Sequence, residues 1–466
     1  MRVLNAATDE QVNGRVSRIA EMKVLRAHYY FELSRLFNKI PYFDENVEIS
    51  QYPDIPNNEF TRDEILSMLA KEMLDAAELL PASQSEVGRI HKYIALAYAA
   101  KIKLYQAYQQ DETTHAVTSI NKELLREVVS LCDQVTASNR YGLLDDFQGL
   151  DLVANENGKE SVFAIQYSMN DGTESAGRIN WSNLLNSPGG GSPYGGDGFF
   201  LPSQDLINAY QTDANGLPDF NYQSKSDYSW AVLNNGVYTL QNTTPNVDPR
   251  LDFVVGRPTI TWKTYPDKPC EGWVRDKETY GYNCAKRFWV SPESSDMFNG
   301  WPWGASQLNW QIIRYADILL WKAEALIELN EGDGLETARD LINQIRNRAR
   351  NSAYVKDFND HSKYAANYLV NPYPADVWNQ DYARQALRWE TRLEKALEGE
   401  RFFDLVRWGI VETTMNKYIT AESDNRIYYA NAHFTGGKDE YYPVPNNQYG
   451  FSGGKYVQNP GYAPFN

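Results

Sequence analysis

Helical periodicity in this chain is confined to its two ends, and that division constrains the fold more than any other feature of the sequence. Before residue 140 and after residue 312, apolar side chains recur every three or four positions. Between them Gly, Pro, Asn, Asp and Ser interrupt every few residues, as in SPGGGSPYGGDG (187–198) and NNGVYTLQNTTPNVDP. Short alternating pieces such as SVFAIQY are strand candidates, but no βαβ rhythm links them. The ends must therefore pack as helices and carry a long middle that has little regular structure of its own.

The helices can be placed individually. HYYFELSRLF sets Met22, Leu25, Tyr29, Leu33 and Leu36 on one face before Pro41 stops the run. Thr61-Arg62-Asp63-Glu64 is a capping box, opening a helix with Ile65, Met68, Leu69, Met73, Ala76 and Leu80. A third helix, 88 to 109, carries Ala95, Ala97, Ala99 and Ala100, small enough for a neighbour to approach closely, and a fourth, 121 to 136, aligns Leu124, Leu125, Val128, Cys132 and Val135. From 312, Tyr315, Ile318, Leu319, Ala323, Leu326 and Leu329 form a face, with the Lys322 stem along it. Gly332 and Gly334 then make a turn, and Leu335, Ala338, Leu341, Ile342 and Ile345 return. This pair is close in size to a tetratricopeptide repeat. QALRWETRLEKALEGERFFDLVRWG (385–409) predicts one further long helix, and the tail from 425 is rich in Tyr, Asn, Gly and Pro.

Composition removes several functions. The net charge of −16 and pI near 4.9 repel duplex DNA and anionic headgroups, so a nucleic-acid partner is not expected. No run approaches 18 apolar residues, and the opening MRVLNAATDEQVNG holds no signal-peptide core. The five histidines, at 28, 91, 115, 361 and 433, share no metal spacing. The glycine run at 189–198 lacks the GK[ST] ending of a phosphate loop, and no Gly-x-Ser-x-Gly elbow is present. Cys132 reads as a buried thiol in a helix. Cys270 and Cys284 lie in a loop-rich stretch, where a bridge in an oxidising compartment would contribute about 3 kcal/mol; spacing alone leaves that pairing open.

Four separated stretches, read together, resemble one family: LRAHYYFELSRLFNKIPYF (25–43), IRYADILLWKAEALIEL (313–329), LEKALEGERFFDLVRWG (393–409), and the tail YYPVPNNQY with VQNPGY. Each is similar to a segment of the SusD/RagB family of glycan-binding outer-membrane lipoproteins, in the same order along the whole chain. The most specific element is Glu398, Gly399, Arg401, Phe403, Asp404, Leu405, Arg407 and Trp408. The resemblance implies a mainly α fold: a TPR-like helical-repeat superhelix with a large irregular, loop-rich insertion. Its divisions would be a helical scaffold at 1–140, an insertion carrying the ligand site at 141–311, helix pairs at 312–412 and an irregular tail packed on the scaffold at 413–466. It further implies a non-enzymatic protein at the cell surface of the outer membrane, lipid-anchored in its full-length form, that hands oligosaccharide or polysaccharide to a SusC-like TonB-dependent transporter. The family's lipobox cysteine and an opening helical stretch have no counterpart here, and some family ligand contacts lie in that stretch. No cofactor is implied, and Ca²⁺ is left open. Arg314, Glu324, Glu398, Arg401, Asp404 and Arg407 fall on helices with strong apolar faces, so they read as inter-helix ion pairs and caps that fix repeat register rather than as ligand contacts.

Sugars present flat C–H faces and a rim of hydroxyls, so a site for them needs aromatic rings on loops with polar side chains between. The chain has 12 Trp, 32 Tyr and 18 Phe, and eight of the tryptophans lie between 181 and 310, where helix is scarcest. CEGWVRDKETYGYNC (270–284) supplies Trp273, Tyr280 and Tyr282 with Arg275 and Asp276 among them. NGWPWG adds Trp301 and Trp303, and two other loops add Trp181 and Trp230. Trp273, Trp301 and Trp303 rank first because each sits beside Gly or Pro, which favours an exposed loop. Two other functions compete. One is a peptide-binding lid of a RagA/RagB-type transporter. The other is a glycoside hydrolase, for which no spacing among Asp171, Glu174, Asp267, Glu271, Asp276 and Glu278 singles out an acid pair.

Overall fold

In the computed structural model, which describes residues 1–173, 177–181, 183–186, 189, 191–266, 272–300 and 304–465, the helices of both ends pack as one stack. Helices α1 (Arg15–Phe37), α2 (Arg62–Leu79), α3 (Lys92–Ala107) and α4 (Lys122–Ala137) pack each on the next, and α4 packs directly on α5 (Tyr315–Leu329). Helices α6 (Gly334–Asn351) and α7 (Gln380–Glu394) cover α5 from the other side. The stack thus closes over the point where the middle leaves it, and one apolar core runs from Val24 to Leu387. In α3 the alanines at 95, 97, 99 and 100 are fully buried, and the helix lies between α2 and α4 with almost no exposed face. The Thr61 hydroxyl accepts the Glu64 N–H and the Glu64 carboxylate accepts the Thr61 N–H at 2.8 Å, as the capping box requires.

Two helical expectations are corrected. The buried face of α1 is Ala20, Val24, Ala27, Phe31 and Ser34, whereas Tyr29 is 69% exposed and Met22 lies at the surface. Polar residues cause the rotation. Phe31 meets Tyr98 and Tyr105 edge to face, and Arg35 turns inward to the Glu400 carboxylate at 2.7 Å, so the inner face is not the most hydrophobic one. The long helix expected at 385–409 is broken into α7 and α8 (Arg401–Arg407). Leu397 and Gly399 both take positive φ, +66° and +82°, which ends α7 and folds Glu398 back toward Arg314. The tail, expected to be irregular, opens with α9 (Val411–Ser423).

The middle joins the stack through an antiparallel ribbon, β1 (Ser161–Ile165) with β2 (Trp310–Arg314), and β2 runs straight into α5. At this junction lies a buried ionic network. Arg314, with no exposed surface, donates to Glu160 (2.9 Å), Glu394 (2.7 Å) and Glu398 (3.0 Å). Glu390 and Glu394, one turn apart on α7, also receive Arg250 from the middle, which Asp248 holds at 2.7 Å. Arg346 and Arg348 of α6 complete the set on Glu390 and on Glu160 with Glu394. Arg287 links Glu398 to Asp151, and Lys395 links it to Asp317. With Lys263 on Asp151, seven cations meet seven carboxylates. Arg407 makes a separate buried pair with Glu324 and Asp404. The scaffold reading of Arg314, Glu324, Glu398, Asp404 and Arg407 therefore agrees with the geometry.

The tail is sewn to the start of the stack by amides. Asn459 donates to the Phe37 and Tyr442 carbonyls, each at 2.8 Å, and so adds a second donor to the Phe37 carbonyl at the end of α1, which also accepts the Lys39 N–H. Asn57 and Val457 exchange two bonds, and the Gln458 amide does the same with Val444. These contacts are what VQNPGY does in this chain.

Burial by itself pushes the Glu394 carboxyl up, but Arg348, Arg314 and Arg250 outweigh it and hold it below the ordinary 4.5; Glu398 and Glu400 are depressed in the same way. Removing one member leaves its partners charged and unpaired in the interior. Glu394→Ala is therefore expected to lower unfolding free energy by about 3–5 kcal/mol in urea titrations, against less than about 1 kcal/mol for Asp75→Ala in the exposed Lys71–Asp75 pair. Because the folded-state values lie below the unfolded ones, this stability is complete above about pH 4.5 and is lost as pH falls further. Urea midpoints should drop from pH 4.5 downward, less steeply in Glu394→Gln.

Candidate functional site

The middle replaces secondary structure with aromatic packing. Tyr194 stands at the centre of a small core, its ring centroid 5.1 Å from Trp289, 6.0 Å from Trp262 and 6.3 Å from Trp273. Trp262 Nε1 donates to the Tyr194 hydroxyl at 2.9 Å, and that hydroxyl donates to the Val290 carbonyl at 2.7 Å. Each indole here is about 1% exposed. Large rings with one polar handle bury much area per residue and anchor loops that have no ladder to hold them. A second core, built on Phe147, Tyr210, Leu251 and Phe253, fixes the segment around Arg250.

This corrects the expectation for Trp273. Its neighbour Gly272 adopts φ +78° and turns the chain so that the indole points inward, 4.9 Å from Trp262. A glycine neighbour marks a sharp turn and does not say which side the next ring takes. Trp301 and Trp303 lie outside the described residues, as do Cys270, Glu174, Asp267 and Glu271. Cys284 is a fully buried free thiol packed in the same small core. Cys132 is likewise buried and free in α4, and burial pushes its thiol up to about 12.

The remaining candidates fall into two groups. The first surrounds a short helix, Lys277–Tyr280, that Asp276 caps by accepting the Thr279 N–H at 3.0 Å. Its bonds to Thr279 hold the Asp276 carboxyl below the ordinary range, and they give Asp276 a capping role. Tyr280 ends this helix 46% exposed, and Gly281, at φ +74°, leaves the space that the Arg426 guanidinium fills. Tyr282 reaches back to the Ser229 carbonyl at 3.3 Å, beside the exposed Trp230. Trp230 leads into a hairpin, Ala231–Asn234 paired with Val237–Leu240, and Lys277 lies 5.2 Å over the Tyr238 ring on it.

Against Tyr280 stands a residue that the sequence reading missed. Tyr428, 50% exposed, faces it with centroids 6.0 Å apart and planes at 39°. Tyr428 leans on Tyr429 at 4.6 Å, and the Tyr429 and Tyr418 hydroxyls share a hydrogen bond of 3.0 Å. The signal was the doublet RIYY in an otherwise polar tail, about 150 residues from Tyr280 along the chain. Beneath, Glu422 is 1% exposed and accepts the Asp205 N–H; burial raises its carboxyl to about 7. A sealed acid of this kind cannot reach a substrate bond. Asp205 is occupied by Tyr222, Gln223 and Arg392.

Arg275 and Trp181 form the second group. Arg275 ties the glycine loop down through Asp197 at 2.6 Å and the Gly196 carbonyl at 2.8 Å. Trp181 stands 46% exposed on the segment whose Asn180 N–H donates to the Ser306 carbonyl. Phe199, 71% exposed, is joined to that segment through the Leu185 carbonyl. The arrangement as a whole offers flat rings at the surface with Lys277 and Asp276 beside them, while Arg426, buried, packs against Gly281. Among the described residues no three His, Cys, Asp or Glu side chains gather as a metal-ligand set, and no helix is long and apolar enough to cross a membrane.

The comparisons with known proteins agree with this architecture. A SusD-like protein of Bacteroides ovatus is 23% identical over 431 residues, covering 87% of this chain, which in turn spans 62% of that protein's length. A SusD superfamily protein of Bacteroides vulgatus superposes with a TM-score of 0.66 at 20% identity, covering 98% of this chain and 80% of that one. Surface glycan-binding protein A of Bacteroides thetaiotaomicron, solved in complex with laminarihexaose, superposes with a TM-score of 0.62 at 17% identity, covering 98% and 81%. The model of the SusD family matches residues 159–462, from β1 through the ionic network to the amide-sewn tail, and the chain belongs to that family.

Proposed function

We propose that this protein binds oligosaccharide or polysaccharide at the cell surface without cleaving it and passes it to a SusC-like TonB-dependent transporter in the outer membrane. The observation that carries the reading is the exposed Tyr280–Tyr428 pair, with Trp230 on the neighbouring loop; Tyr280 lies between Val274 and Cys284 of the buried aromatic core, and Tyr428 packs on Tyr429. Ring centroids 6.0 Å apart with tilted planes suit successive sugar units of a curved chain, with the Lys277 cation beside them for their hydroxyls. Membership of the SusD family and the likeness to a glycan-binding protein crystallised with laminarihexaose support the ligand class. A lipid anchor in the full-length form fits the same reading.

An open aromatic surface of this kind corresponds to dissociation constants of roughly 10 µM to 1 mM, or about −7 to −4 kcal/mol. Capture at that strength leaves release to the transporter easy.

Affinity electrophoresis and calorimetry against a panel of plant, algal and host polysaccharides should find at least one ligand. Tyr428→Ala and Trp230→Ala should each weaken it about three- to tenfold, and Trp273→Ala should instead lower stability. Reducing-sugar assays should stay at background. Release of reducing ends, or retention of oligopeptides with no polysaccharide shift, would replace the proposal with a hydrolase or a peptide carrier.

A further inference from the structure

We infer that a cleft between the helical stack and the ribbon is a second carbohydrate subsite, selective for sugar units that carry a negative charge. The inference rests on the glycan-binding reading above and adds a ligand class to it. The cleft has a volume of about 470 Å³, within the range of small-molecule sites and roomy enough for a short saccharide. Its walls are the α2–α3 loop, the segment that follows α4, and β1 with the turn before it.

The lining combines the three features that a charged sugar requires. Ile94, Val162 and Phe163 give it an apolar floor, and half-buried Tyr141 adds a ring. On the rim, the amides of exposed Asn157 and Gln166 bond each other reciprocally at 2.9 and 3.0 Å; Gln166 is saturated by the Ala164 carbonyl and the Asn309 amide as well, so it fixes Asn157 in place, and Asn157 keeps one N–H and one acceptor position for a hydroxyl. The third feature is charge. Arg89, Arg140 and Lys159 line the cleft with one carboxylate, Glu86, while Glu21 and Asp145 reach Arg89 and Lys159 from outside the lining, in a chain whose net charge is −16. Long-range attraction of anions by such a chain is excluded, so only a cation left locally without a carboxylate partner can select them.

The three cations are not equivalent. Arg89 is already held by Glu21 at 2.5 Å and Glu86 at 2.6 Å. Lys159 pairs with Asp145 at 2.8 Å, but the two side chains are 46% and 97% exposed, so the pair is weak and the ammonium is available. Arg140 is exposed and has no carboxylate partner among the described ion pairs; its contact is the Tyr141 phenol. Next to it, His91 meets the Tyr141 hydroxyl at 3.3 Å, and burial together with the Arg140 charge keeps the imidazole neutral, down at about 4. The planar fork of Arg140 is thus the donor left for an incoming carboxylate or sulfate, at the mouth of a cleft with an apolar floor and an amide rim.

Calorimetry at fixed ionic strength with hexagalacturonate, a sulfated carrageenan hexasaccharide and neutral laminarihexaose tests this, and the two anionic arms tell carboxylate from sulfate. The intact chain should bind at least one anionic probe. Arg140→Ala should weaken it about tenfold and Lys159→Ala less, Arg140→Lys should restore part, and Tyr428→Ala should leave it unchanged. Both basic residues are exposed, and unchanged thermal melting confirms folding. Failure of both anionic probes to bind, or affinity for them indifferent to Arg140→Ala and Lys159→Ala, overturns the inference. A neutral ligand lost on Tyr428→Ala but untouched by Arg140→Ala keeps the first site standing in that event. Anionic binding at Arg140 with no panel ligand sensitive to Tyr428 or Trp230 would instead remove the aromatic site and leave this one.

Discussion

Everything beyond the helices depends on Arg314. It ends the ribbon, begins α5, and sits without solvent among Glu160, Glu394 and Glu398. A guanidinium in that position is tolerable only when its whole fork is met, and the fork is met by carboxylates from two distant parts of the chain, Glu160 before the ribbon and Glu394 with Glu398 at the end of α7. Each of those carboxylates is shared with another buried cation, so no member can be removed without stranding its neighbours. The network is therefore less a source of stability than a specification: one register of α6 against α7, and one docking of the middle onto both, satisfies every charge. A hydrophobic core tolerates small slides between packed helices; an interior in which seven cations share seven carboxylates does not.

The aromatic excess has a parallel explanation. A segment with few helices and only two-stranded ribbons among its described residues buries little backbone in ladders. Tyr194, Trp262, Trp273 and Trp289 supply the missing apolar area, and only the rings left over reach the surface. Structure and recognition draw on the same residue types here, and neighbouring sequence does not tell the two uses apart. Trp273 and Tyr280 are seven residues apart in the same loop, one sealed and one half exposed.

How much could be read in advance follows from this. Helices of the two ends, the capping box at Thr61 and the structural role of the Arg314 and Arg407 clusters were legible because they follow from local period and from charge on apolar faces. The face of α1 was not, because Arg35 turns inward to Glu400, far away along the chain, while the buried Ser34 hydroxyl is satisfied within the helix by the Phe31 carbonyl. The break after α7 was hidden for a similar reason: Leu397 accepts a positive φ because Glu398 gains Arg314, Arg287 and Lys395 in return. Tyr428 was invisible as a partner of Tyr280 because only the folded tail brings them together. Which aromatic rings of the middle stay exposed was thus legible as a class of residue on a class of loop, and not residue by residue.

The ribbon of β1 and β2 has a further consequence. The two ends of the long intervening segment enter and leave side by side, in register at Ile165 and Trp310. For the stack, the segment is a closed loop whose length enters the free energy only logarithmically, each doubling costing about 0.6 kcal/mol. Turns within it that hold none of Asp248, Arg250, Lys263 and Arg287 can lengthen or shorten at that small cost while the helices beneath keep their geometry. Such a stem lets one frame carry many different heads.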